Sequence, residues 1–97
     1  MPAANTDKKV FLNISATDGP WGLLAGEYGM TVHAGVWGGG SVKLQRQAAD
    51  GVTWVDVQAF TADGFAAFPI PGGSYQLAVT TATGVYADIS AIVLASS

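Results

Sequence analysis

The chain has 97 residues, which fits one domain of roughly 100 residues and leaves no room for two separately cored ones. It holds no cysteine and one histidine, His33, so a disulfide framework, thiolate metal sites and multi-histidine metal sites are excluded. Only 11% of residues are charged, against about 25% in an average soluble domain. With 49% hydrophobic residues, the surface is weakly charged, a property common inside assemblies.

The net charge of −3 and a pI near 4.5 argue against nucleic-acid binding, which needs a basic stripe to displace counterions. The longest unbroken apolar run, Ile89 to Ala95, is far short of the ~20 residues that span a bilayer, so no membrane association is expected. The start of the chain lacks the apolar core of a secretory signal, which predicts synthesis in a reducing cytoplasm.

Residues 1–9 read as a flexible N-terminal arm, and residues 10–97 as a single domain. From there the pattern has period two, the signal of half-buried strands. Val10, Leu12 and Ile14 alternate with Phe11, Asn13 and Ser15. Asp18-Gly19-Pro20 breaks the run and predicts a turn, because Pro cannot donate to a strand ladder. Met30, Val32, Ala34 and Val36 form one face of the next strand, and Thr31, His33, Gly35 and Trp37 the other. Gly38-Gly39-Gly40 ends it as a loop between strands; the spacing and the missing helix rule out a phosphate loop.

Val42 and Leu44 open the next strand, and Asp50-Gly51 predicts a hairpin into the Trp54–Val57 strand. Asp63-Gly64 repeats that device before Phe65–Ile70. Pro71-Gly72-Gly73 precedes a strand with Tyr75, Leu77 and Val79 on one face. The last strand, Val85–Leu94, puts Ile89, Ala91 and Val93 on one face and almost lacks charge; on a sheet edge it would need a partner. Seven to eight short strands and no helical period predict an all-β fold. The expectation is a single small antiparallel β-sandwich, jelly-roll-like or immunoglobulin-like.

Little chemistry is legible. His33 is the first acid–base candidate, with Glu27 and Thr31 its nearest partners in sequence; a strand histidine facing solvent or an interface is the plainer reading. Asp18, Asp50 and Asp63 each precede glycine, where Asp commonly binds its own backbone. Glu27, Asp56 and Asp88 sit one per strand with no motif around them, and no cofactor or metal is expected. Trp54, in mid-strand, reads as core. Trp21 and Trp37 adjoin glycine loops, which leaves interface, packing or sugar stacking open for them.

Two stretches carry a resemblance. Gly40-Ser41-Val42-Lys43-Leu44-Gln45 with Asp50-Gly51-Val52-Thr53-Trp54-Val55 resembles a recurring pattern in small tailed-phage virion proteins. Pro71-Gly72-Gly73-Ser74-Tyr75-Gln76-Leu77 is similar to another of their strand starts, with Gln76 where that pattern has arginine. The resemblance spans Gly40 to Thr80. It implies a non-enzymatic structural protein that decorates or cements a capsid from its exterior, as a homotrimer bound to the major capsid protein. Trp21, Tyr28, Trp37, Ile92 and Leu94 are then the candidate interface residues. The competing reading is a small carbohydrate-binding module that uses Trp21, Trp37 or Tyr28.

Overall fold

A computed structural model describes residues 7–92 of the chain. These residues contain eight strands and no helix: β1 (Lys8–Ile14), β2 (Asp18–Leu23), β3 (Gly26–Val36), β4 (Ser41–Gln47), β5 (Trp54–Phe60), β6 (Gly64–Ile70), β7 (Gly73–Thr80) and β8 (Thr83–Ala91). Every pairing is antiparallel, in two sheets ordered β1-β8-β3-β6 and β2-β7-β4-β5. The first strand therefore pairs with the last, the second with the seventh, the third with the sixth and the fourth with the fifth. A long ribbon doubled at the β4–β5 turn and then rolled up gives this order, which is the jelly roll. The chain is a single β-sandwich of jelly-roll topology, measuring 46 × 32 × 17 Å.

The core comes from the inward positions of both sheets. Met30, Val32 and Ala34 of β3 and Val85, Ala87 and Ile89 of β8 face Val42 and Leu44 of β4 and Leu77 and Val79 of β7. No polar or charged residue is buried among the described residues apart from tyrosine. Tyr28 and Tyr75 are fully buried, and each hydroxyl donates to a backbone carbonyl four residues upstream, of Leu24 and Pro71 respectively. Burying those hydroxyls without partners would cost on the order of 1–3 kcal/mol each. Both therefore tie a loop at one end of the sandwich to the core.

Several elements depart from the sequence reading. Asp18-Gly19-Pro20 begins a strand: β2 is a sheet edge with a bulge between Asp18 and Trp21, the two settings in which a strand tolerates proline. In β1 the buried face is that of Phe11, while Val10 and Leu12 are exposed. A bulge between Phe11 and Ile14, with Asn13 at φ 55°, then rotates Ile14 back toward the core. Lys8 and Lys9 belong to β1, Asp7 O accepts from Ala91 N, and Asp7 Oδ2 accepts from Leu24 N, so the predicted arm is paired from Asp7 onward. Trp54 is half-exposed and does not join the core, because β5 is an edge strand with a bulge opposite Leu44 and Gln45.

The turns are equally instructive. Gly38 and Gly39 both have positive φ and Gly40 N donates to Trp37 O, a tight turn of the mirror-image type that favours hairpins. Gly40 itself packs so closely that a Cβ there would lie 2.0 Å from the Thr80 carbonyl oxygen. Asp50-Gly51 does lie in a hairpin loop, the one between β4 and β5. Asp63-Gly64 does not, because β5 and β6 lie in different sheets and the turn carries the chain across the sandwich. The charge-poor last strand is not an edge: β8 runs between β1 and β3, with both sides hydrogen-bonded.

Candidate functional site

The four connections β1–β2, β3–β4, β5–β6 and β7–β8 gather at one end of the sandwich, as the strand order requires. There Asp63, in the β5–β6 connection, accepts three hydrogen bonds from the end of β3 and its following turn. His33 Nδ1 lies 2.6 Å from Oδ2, while Ala34 N and Trp37 Nε1 reach Oδ1 at 3.1 and 2.8 Å. These bonds, that from His33 first, hold the Asp63 carboxyl at about 2, below its usual 3.8. An ionised Asp63 cannot donate, so in this contact His33 Nδ1–H is the donor. The ring of Tyr86, directly across from His33 on β8, stacks on the imidazole at 6.3 Å between centroids.

A histidine oriented by a carboxylate is two-thirds of a hydrolytic triad. Among the described residues His33 makes no hydrogen bond to a hydroxyl; its side-chain contacts are with Asp63 and Tyr86. Glu27 and Thr31, its nearest candidate partners in sequence, do not bond to it; Thr31 pairs with Asp88 and Phe65. Asp63 was legible only as a turn acid. It reaches His33 because β3 pairs with β6 with Val32 opposite Gly64, a register no local pattern encodes. Among the described residues no three acids or histidines are grouped to hold a metal, and no helix is long and apolar enough to cross a membrane.

Beside His33 the outer surface of the β1-β8-β3-β6 sheet forms an open groove of about 250 Å³. Val10, Leu12, Thr31, His33, Tyr86 and Asp88 line it. Val10, Leu12 and Tyr86 remain 46–69% exposed. Past Thr31 the apolar surface continues over β6, where Phe65 is 65% exposed and its ring lies on the bare backbone of Gly29. A Cβ at Gly29 would come within 3.0 Å of Phe65 and 3.9 Å of Ile92. These side chains make an apolar-rich outer face in which Asp88 and Thr31 stand between Val10 and Phe65, and sequence periodicity missed it because each strand supplies only one or two of them.

The candidate interface residues divide accordingly. Ile92 is exposed and borders this face, its backbone N–H donating to Glu27 O. Leu94 lies outside the described residues. Tyr28 presents no surface: it stands in phase with Met30 and Val32 on the inner face of β3 and is completely buried, so it serves neither an interface nor sugar stacking. Trp21 and Trp37 are half-buried against the core, and their indole N–H groups are spent on Asp18 and Asp63. Trp21 also packs on Phe11 and lies under the Lys9 ammonium. Asp50 behaves as the turn acid it was read to be, accepting from Val52 N, Thr53 N and the Thr53 hydroxyl, which holds its carboxyl at about 2.

Comparison with protein-family models, with curated proteins and with solved structures finds no match to this chain.

Proposed function

We propose that this chain is a non-enzymatic structural protein of a phage virion, a capsid-decoration protein that binds the outside of the shell as a homo-oligomer and stabilises it. The observation that supports this reading is the exposed apolar face of the β1-β8-β3-β6 sheet. Its five large side chains, Val10, Leu12, Phe65, Tyr86 and Ile92, leave on the order of 500 Å² of apolar surface in water. The largest apolar patch of a monomer, about 300–600 Å², is often where it binds something.

Magnitudes fit binding as the mechanism. Covering that patch is worth on the order of 12 kcal/mol at ~25 cal/mol per Å². Losing rigid-body freedom on association costs about 4–15 kcal/mol, so one isolated contact is marginal. Repeated over a lattice, such contacts add through multivalency and favour the closed shell over its parts.

The test is co-sedimentation of the purified chain with shells of the major capsid protein from the same genome. The expected result is saturable binding and a raised melting temperature of the shells. Absence of binding at micromolar concentration would sink the decoration reading. A glycan that shifts tryptophan fluorescence in the wild type but not in Trp37→Ala would replace it with the carbohydrate-binding one.

A further inference from the structure

Strands β1, β6, β2 and β5 are the sheet edges among the described residues, and the outer backbone groups of an edge are a template for a further strand. Three of these edges are ill suited to that. β1 carries Lys8, Lys9 and a bulge between Phe11 and Ile14; β2 carries Pro20 and a bulge between Asp18 and Trp21; β5 carries Asp56 and a bulge opposite Leu44 and Gln45. By contrast β6 has no charged residue and pairs with β3 in unbroken register from Gly64 to Ile70. Its free groups can be assigned. Ile92 N donates to Glu27 O, so Glu27 faces β8 and its neighbour Tyr28 faces β6, where Phe68 is its partner. Alternation then turns the backbone groups of Gly64, Ala66 and Phe68 toward β3 and those of Phe65, Ala67 and Pro69 away from the sheet. Pro69, with no N–H to offer, stands where an edge tolerates proline.

We infer that the free edge of β6 pairs with the β6 edge of a second copy, antiparallel about a two-fold axis at Ala66, so that two sheets join edge to edge. The inference deepens the homo-oligomer proposed above, and it leaves the outer face of the sheet free for the shell. The occupant is identified by the fit of β6 to itself. In this register Phe65 stands opposite Ala67 of the second copy, and the pair exchanges both of its N–H···O=C bonds; the two-fold axis repeats the pair. Such main-chain bonds supply affinity wherever a strand is added to a sheet edge. Side-chain size matches at each position. On the outer face the Phe65 ring meets the Ala67 methyl, at the axis Ala66 meets Ala66, and on the inner side half-buried Phe68 meets Gly64, which has no side chain. No position of the paired segment sets two rings or two like charges against each other.

The experiment is the solution mass of the full chain, by light scattering behind size exclusion, with amide hydrogen exchange followed at Phe65 and Ala67 as concentration rises. Ala67→Pro deletes one outward N–H on an edge that already holds a proline, and Ala67→Lys puts a charge on the same edge. Leu12→Glu, on the outer face of β1, is the control, and far-ultraviolet circular dichroism with a thermal melt verifies each fold. A wild-type mass of twice 9.9 kDa, with both amides protected on association, supports the pairing. Association should then weaken about tenfold or more in Ala67→Pro and Ala67→Lys and stay unchanged in Leu12→Glu. An oligomer that Ala67→Pro and Ala67→Lys leave intact overturns this edge while leaving an assembling protein. A mass of three times 9.9 kDa also overturns it, since a two-fold pairing closes at two copies. A wild type that is monomeric at millimolar concentration overturns the contact itself, and shell binding then decides the proposed function separately.

Discussion

On the outside of the β2-β7-β4-β5 sheet, Gln76 donates to Gln45, Gln45 donates to Asp56, and Lys43 sits 3.4 Å from the same carboxylate. On the outside of the β1-β8-β3-β6 sheet, equivalent outward positions hold Val10, Leu12, Tyr86 and Phe65. Both sheets are four antiparallel strands with an apolar inner face, so the pleat alone does not separate them. The difference teaches that the inner faces account for the fold, while the outer faces are left free to differ. A polar ladder such as Gln76–Gln45–Asp56 is satisfied within one copy, whereas Leu12 and Phe65 leave apolar surface in water.

The comparison breaks first if the two inner faces are not equivalent. Met30→Ala under the apolar face and Leu44→Ala under the polar one remove side chains that are both fully buried. Each should lower unfolding free energy by about 2–5 kcal/mol, read from urea midpoints. A cost below 1 kcal/mol for Met30→Ala alone would mean that its sheet is loosely packed. Next come the loop ties: Tyr28→Phe and Tyr75→Phe should each cost about 1 kcal/mol, since each leaves a backbone carbonyl without its donor.

Acid sensitivity sharpens the contrast between the two ends of the molecule. Asp63 and Asp50 have folded values near 2 against an ordinary 3.8, so their contribution is complete above about pH 4 and is lost as pH falls through 2. Denaturant midpoints measured between pH 5 and 2 should therefore drop, and Asp63→Asn should flatten part of that drop. A slope unchanged in Asp63→Asn would mean that its bonds to His33 and Trp37 add nothing to stability. The smallest effects belong to the outer faces. Under monomeric conditions Leu12→Ser and Gln45→Ala should each shift stability by no more than about 0.5 kcal/mol. Only Leu12→Ser should reduce binding of an apolar dye.

Much of the strand content was legible because alternation is local. Met30, Val32 and Ala34, Val42 and Leu44, and Tyr75, Leu77 and Val79 are inward as their period demands. Tyr28 lies on the same period as Met30 and was readable as core. In β1 the pattern was ambiguous, since Val10 and Leu12 alternate with an equally apolar Phe11. Which of two apolar faces turns inward depends on the sheet that covers it.

By itself the sequence determined the fold class, the loop at Gly38-Gly39-Gly40 and the Asp50 loop, all products of neighbours within a few residues. Tertiary structure alone decided which strands pair. Of the six pairings only β4–β5 joins consecutive strands; the other five bring together segments separated by at least two intervening strands. Those pairings set Asp63 beside His33, buried β8 between β1 and β3, and brought the exposed apolar side chains of β1, β6 and β8 onto one outer face. Hydrogen bonds of a strand ladder are the same for any partner, so the choice rests on how side chains from distant segments fill one core.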